Sequence, residues 1–340
     1  MCNYTSGENG TEMRHPTYAF VFGSVILVGL PLNALSLVIL CRCHSLKSSS
    51  AVFMVNLAVS DLLLVVSLPM RVYYYATGTW PLSNFACICA TMFFRNNIRS
   101  SAFFITFISV DRLLAVVYPL RSRHLRTSST AWKAAALVWL LVLVINIPEN
   151  VYFFKFLKEL NESSCFEFKT PHRSPLHYIQ PVLVFTMLAV NMVCTALVSW
   201  TLSRRLNDSA RVNNKVNVML IFAMNMIMFM VFFLPVSLGV VIPCWRPVIT
   251  WLICLASVNC CLDPLLYYFS FDGFWRRKEE VDSSLDNSHS NRISTRLVGC
   301  QQQPPPPHQS IRSLQRTPSS LDRTQFNVRP NKCSTLFNLP

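Results

Sequence analysis

Residues 51–76 read AVFMVNLAVSDLLLVVSLPMRVYYYA, and their only charged members are Asp61 and Arg71. A helix rising 1.5 Å per residue needs about 20 residues to cross a hydrocarbon core of about 30 Å. These twenty-six residues are therefore long enough to span a bilayer. A charge held at mid-membrane costs about 2.5–3.5 kcal/mol even on insertion scales. Asp61 and Arg71 must then face inward, toward partners supplied by other segments. Those segments exist: six further apolar windows lie near 18–42, 86–117, 131–154, 176–202, 216–243 and 247–270.

Composition agrees with a chain dissolved mostly in lipid. Of 340 residues, 52% are hydrophobic and 14% charged, against about 25% charged in soluble domains. Glycine is scarce, at 8 residues, and the windows are continuously apolar, unlike the alternating strands of a membrane barrel. The expected fold is an all-α membrane protein, a seven-transmembrane helix bundle over 18–270. A short amphipathic helix 8 is expected over 271–280 and a disordered Ser-, Pro- and Gln-rich cytoplasmic tail over 281–340. Within that tail, "PPPP" is a spacer or a dock for an SH3- or WW-type partner.

Orientation follows from loop charge. The connections after spans 1, 3 and 5 hold ten Lys and Arg, against six on the opposite side. The N-terminus is therefore expected outside, in a polar leader over 1–17 too hydrophilic for a cleaved signal peptide. Glycosylation sequons at Asn3, Asn9 and Asn161 fall on that same outer side. The net charge of +14 sits in loops and tail, where it sets topology and implies no nucleic acid. Most of the 13 cysteines lie in apolar spans as small hydrophobes. Cys87 opens span 3 and Cys165 lies in the second outer loop, in an oxidising compartment, so a disulfide is expected there. Cys2 with Cys244 is a second possible pair; the alternative is an unpaired Cys2.

The polar residues inside the spans narrow the class. Asp61 stands in "NLAVSDLLL", Asp111 and Arg112 in "SVDRLLAVVYPL", and Asp263, Pro264 and Tyr267 in "NCCLDPLLYYF". With Asn33, Trp139, Pro235 and the Cys87-to-Arg112 interval, this set resembles the rhodopsin-like (class A) G-protein-coupled receptors across residues 18–280. The resemblance implies a sodium site formed by Asp61, Ser101, Asn259 and Asp263, with Asn97 a further candidate; the alternative is a sodium-free polar network. It implies a switch in which Arg112 pairs locally with Asp111 in one state and meets a heterotrimeric G protein in another. Pro235 would hinge span 6, with Phe233 where the family usually has tryptophan, and Asp263, Pro264 and Tyr267 would rearrange at the inner end of span 7. Leu113 in place of a tyrosine and Met187 in place of the span 5 proline are departures.

Within the family, "GLPLNALSLVIL", "LPMRVYYYATGTWPL", "YPLRSRHLRT" and "LDPLLYYFSFDGF" look most like the purinoceptor-like cluster. There the likeness is to lysophosphatidic acid receptors of type 5, then type 6, and the chain reads as a divergent relative. Span 3 is where it departs, in "FFRNNIRSS" (93–101), since Arg95 and Arg99 share one helix face. At 1.5 Å per residue Arg95 lies about 12 Å and Arg99 about 18 Å below Cys87, and Arg71 about 15 Å outward from Asp61. Guanidinium groups suit a phosphate or carboxylate, with Tyr74, Tyr75 and His177 as walls and donors. Arg99 has a second reading, a structural bridge to Glu149, the only acid in the outer half of span 4.

The expected function is a plasma-membrane receptor for an extracellular anionic ligand, a lysophospholipid such as lysophosphatidic acid. It would activate heterotrimeric G proteins and recruit arrestins. An orphan or constitutively active receptor, an arrestin-recruiting scavenger, or a receptor for another small acid or nucleotide are the alternatives. No inverted repeat of interrupted helices, H-E-x-x-H pair or phosphate-cradling glycine loop supports a transporter or an enzyme. No cofactor is expected beyond the sodium ion.

Overall fold

A computed structural model describes residues 15–42, 46, 48–160, 165–166, 178–204 and 212–267. Seven helices are long and apolar enough to cross a membrane. The first five are α1 (Pro16–Arg42), α2 (Ser49–Thr77), α3 (Asn84–Val117), α4 (Ser128–Leu160) and α5 (Ile179–Arg204). The sixth span, Val218–Val241, is composite: α6 (Val212–Ile227), a π-turn segment (Met228–Phe233) and α7 (Leu234–Val241). The seventh, Ile249–Tyr267, opens with α8 (Ile249–Ser257). The described residues form a seven-helix bundle, as the apolar windows predict. The helix expected over 271–280, the tail over 281–340, and Cys2, Asn3, Asn9, Asn161 and His177 lie outside the described residues.

Local chemistry sets the helix ends. Ser48 caps α2 by accepting from the Ala51 amide at 3.2 Å, and Ser83 caps α3 by accepting from Ala86 at 3.3 Å. Each satisfies a donor that the first helical turn leaves orphaned. Gly78 closes α2 in the left-handed region, φ 78°, with its amide on the Tyr74 carbonyl at 2.8 Å, a conformation a side chain would resist. Pro31, Pro69 and Pro148 sit inside helices, as membrane helices tolerate.

The polarity is inverted relative to a water-soluble bundle. Large apolar side chains cover the outside, with Phe20 75% and Leu27 77% exposed, while Asn33, Asp61, Asn97, Asn191, Asn225 and Asp263 are buried. Interhelical hydrogen bonds hold the bundle where lipid offers no hydrophobic drive. Asn33 of α1 donates to the Cys260 carbonyl of the seventh span at 2.6 Å, and Trp139 of α4 donates to Asn56 Oδ1 of α2 at 2.9 Å. Gly29 permits the first contact, because a Cβ there would stand 3.1 Å from Cys260 Sγ.

Trp139→Phe removes one donor and orphans Asn56 Oδ1 while keeping most of the ring. The expected loss is about 1 kcal/mol, read as a lower unfolding temperature in detergent. An unchanged unfolding temperature would mean that the bond contributes nothing net.

Candidate functional site

Two clusters of buried polar groups divide the bundle, one toward the Cys87 end and one at mid-depth. A third set of contacts occupies the Arg112 end.

At the first end, Cys87 and Cys165 are joined in the expected disulfide, with Cα atoms 5.9 Å apart. Cys244 is also disulfide-bonded; its expected partner, Cys2, is outside the described residues. The bridge to Cys165 places Phe166 over the bundle in a left-handed backbone conformation, φ 66°, which is uncommon for a bulky residue. Its ring lies 4.2 Å from the Arg71 guanidinium carbon, and the rings of Phe94 and Phe22 follow at 5.1 and 5.9 Å. Tyr74 and Trp80 meet Phe166 edge-on, and Tyr75 stacks on it. Arg71 is thus 1% exposed within an aromatic box. Its Nε and Nη1 have no hydrogen-bond partner, and it makes no ion pair among the described residues. Cation–π contact offsets part of the desolvation, and the guanidinium hydrogen-bonds the Tyr75 side chain, but Nε and Nη1 stay unused.

Arg95 and Arg99 are placed differently. Arg99, 1% exposed, spends its guanidinium on three acceptors from two helices. Nη2 reaches Glu149 Oε1 at 2.5 Å, Nη1 reaches Asn146 Oδ1 at 2.9 Å, and Nε reaches Gln180 Oε1 at 2.8 Å. The Glu149 bridge read from the sequence is therefore present, and it ties α3 to α4 and α5. Asn146 also donates to Asn96, which extends the network along α3. Arg95 shares the same acid more loosely, Nε to Glu149 Oε2 at 3.6 Å, and donates to Asn150 Oδ1 at 2.7 Å. Its side chain stays 24% exposed. Asn146, Asn150 and Gln180 were not singled out from the sequence; Asn146 and Asn150 flank Glu149 at helical spacings of three and one, which is the signal that was available.

At mid-depth Asp61, Asn97, Ser101 and Asp263 come together. Asn97 Nδ2 donates to Asp61 Oδ1 at 2.9 Å and lies 3.3 Å from both Ser60 Oγ and Ser101 Oγ. Asp61 faces Asp263. Asp61 Oδ2, both Asp263 oxygens and Asn259 Oδ1 are buried without a hydrogen-bond partner. Two facing carboxyl groups with orphaned oxygens are a donor set suited to a hard monovalent cation. Tyr267 is buried nearby, its hydroxyl likewise unpartnered.

At the Arg112 end, Asp111 is held by residues other than its chain neighbour. Asp111 does not pair with its neighbour Arg112. It accepts from Ser49 and, at 2.5 Å, from Ser50, and it takes Arg126 Nε and Nη2 at 3.1 and 3.2 Å. Adjacent residues on a helix point about 100° apart and do not face each other. Asp111 turns to the start of α2, where orphan amides also favour an anion. Arg112 Nε is buried with no hydrogen-bond partner. In the sixth span, Phe233 packs edge-on against Phe229 at 5.4 Å. The ladder slips to five-residue spacing ahead of Pro235, with the Leu234 amide on the Phe229 carbonyl.

Comparison with known proteins accords with this geometry. The family described as 7 transmembrane receptor (rhodopsin family) matches residues 32–267. Lysophosphatidic acid receptor 5 of Bos taurus is 35% identical over 285 residues, covering 76% of this chain and 77% of that protein. Lysophosphatidic acid receptor 6 of Gallus gallus is 31% identical over 285 residues, covering 77% and 92%. Cysteinyl leukotriene receptor 1 of Cavia porcellus is 29% identical over 303 residues, covering 82% and 88%.

Removing one partner of a buried ion pair leaves the other charge uncompensated. Glu149→Gln, which strands Arg99, is expected to destabilise the protein by about 3 kcal/mol, seen as a fall in unfolding temperature in detergent. A variant as stable as the native protein would show that Asn146 and Gln180 suffice for Arg99.

Proposed function

Because the chain belongs to the rhodopsin family of seven-transmembrane receptors, we propose that it senses an extracellular anionic amphiphile, most simply a lysophospholipid such as lysophosphatidic acid, through Arg71. A multi-pass receptor of the plasma membrane is what the family implies. The finer reading has its N-terminus outside, glycans on Asn3, Asn9 and Asn161, heterotrimeric G proteins at the Arg112 end, and arrestins on the Ser/Thr-rich tail.

The observation that carries the ligand class is Arg71. It is a buried cation without an ion-pair partner among the described residues, beneath the disulfide-anchored Phe166. A buried charge left in this condition is costly, and an anionic headgroup supplies the missing acceptors by bidentate pairing. Tyr74, Tyr75 and Phe94 provide apolar walls beside it. Arg95, partly exposed and only loosely held by Glu149, offers a second positive group nearer the mouth. Arg99 has its donors filled and serves as scaffold in this reading. The names of the related receptors lend support to an acidic lipid, and the aromatic box lends support to a ligand with apolar surface next to its charge.

Arg71→Leu separates this role from a structural one. Replacing an unpaired buried charge with an apolar group is expected to leave the unfolding temperature unchanged or raise it. The same variant should lose at least tenfold in potency toward 1-oleoyl lysophosphatidic acid in a G-protein activation assay, while Arg99→Ala loses stability first. A screen across lysophospholipids, nucleotides and small carboxylates in which Arg71→Leu kept native potency for every activator would rule out the site.

The mid-depth cluster is read as a sodium site. Asp61, Asp263, Asn259 and Ser101 would hold the ion, whose charge would neutralise the facing carboxylates. Exchanging choline for about 150 mM sodium should raise the unfolding temperature of the native protein by RT ln(1 + [L]/Kd) and leave Asp61→Asn unmoved. Equal responses of the two would leave only a hydrogen-bonded network.

A further inference from the structure

The sixth span is fastened to the bundle near the Arg112 end by one chain of hydrogen bonds with a direction. Asn225 Nδ2 of α6 donates to Ser109 Oγ of α3 at 2.6 Å. The Ser109 hydroxyl donates onward to Asn191 Oδ1 of α5 at 2.5 Å. Asn191 Nδ2 donates to Thr106 Oγ1 at 2.8 Å and to the Met187 carbonyl at 2.9 Å. Thr106 ends the chain on the Ala102 carbonyl at 2.7 Å. Asn225, Ser109 and Asn191 are 0% exposed, and Thr106 is nearly so.

We propose that this chain is a latch: Asn225 holds the Arg112 end of the sixth span against α3, and letting go of Ser109 is the step that frees that span to move.

The direction of donation makes release one-sided. A hydroxyl carries one proton, and Ser109 spends it on Asn191, not on Asn225. When Asn225 leaves, Ser109, Asn191 and Thr106 keep all the donors they had paired, so α3 and α5 stay joined. Only the Asn225 amide changes partners. Its Oδ1 is already buried without a hydrogen-bond partner, a half-satisfied state that favours movement toward water or new donors.

The neighbourhood supplies the remaining parts of a lever. Three residues past Asn225 the helix enters the π-turn Met228–Phe233, and Pro235 follows. Both are places where helices bend. Within that hinge Phe229 and Phe233, and beyond it Val236, belong to the main apolar core. Below it, Phe222 belongs to a separate small cluster with Cys194 and Val198 of α5. The half of the sixth span below the hinge is therefore shared between two cores, Ile221 in the main one and Phe222 in the small one, and an element divided in this way biases between states rather than deforming continuously.

The test uses the full-length protein in lipid nanodiscs. Asn225→Leu keeps the volume and removes the latch. Distance labels placed as unnatural amino acids at the exposed Tyr118 and Val216 should show a larger population with the two ends apart. Basal nucleotide exchange on purified heterotrimeric G proteins should rise roughly fivefold, the shift expected from losing one net hydrogen bond. Asn191→Leu, which spares the Asn225–Ser109 bond, should leave both readouts near native. A folded Asn225→Leu protein with unchanged distances and unchanged exchange overturns the latch, as does an equal effect of Asn191→Leu. Where Asn225→Leu fails to fold, Ser109→Ala is decided by the same two readouts. The G-protein arm rests on the receptor reading and the distance arm does not. Shifted distances with no nucleotide exchange would keep the latch and reject that coupling.

Discussion

In a medium that offers no hydrogen bonds, every polar group on α3 has to find its partner inside the protein, and the bundle is arranged around that requirement. Arg95, Asn97, Arg99, Ser100, Ser101, Thr106, Ser109 and Asp111 descend one central helix. Together they fix the neighbours: Glu149 and Asn146 of α4, Gln180 and Asn191 of α5, Asp61 of α2, Asn225 of α6, and the serines that open α2. The apolar surface facing lipid does little to select one helix arrangement over another, since hydrocarbon tails are as apolar as leucine. Specificity of the arrangement comes from this polar seam.

The two guanidinium groups at nearly the same burial illustrate how partnership, rather than depth, separates scaffold from site. Arg71 and Arg99 are both 1% exposed. Arg99 is saturated by a carboxylate and two amides, while Arg71 is wrapped by rings that touch its face and leave Nε and Nη1 unpaired. Charge type and burial are equal in the two cases; the chemistry left over is not.

Much of this was legible before any coordinates. Apolar length located the spans, and Cys87 with Cys165 followed from compartment and topology. Glu149 was a foreseeable partner for Arg99 because it is the lone acid at that level of a neighbouring helix. The mid-depth polar cluster was legible only through resemblance, since Asp61, Asn97 and Asp263 are far apart in sequence. Three things were not legible. Arg126 reaches Asp111 from a loop, and loop position is not set by helical periodicity. Asn191 and Asn225 meet Ser109 only after three helices have chosen their rotations, and an asparagine among apolar residues gives no sign of which way it points. The π-turn arises from a one-residue slip of the hydrogen-bond ladder, for which Pro235 marks the place but not the form.

The Phe166 ring has a consequence for timing. It lies against Arg71, which is almost wholly covered, so the guanidinium is reached only after a side chain or its loop has moved. Encounter with the protein and contact with the cation are then separate events, and the second proceeds at the pace of a loop motion. The cover that delays arrival also delays departure. Under the proposed reading of Arg71, a signal would be averaged over the ligand's residence, with brief pulses smoothed and sustained ones retained.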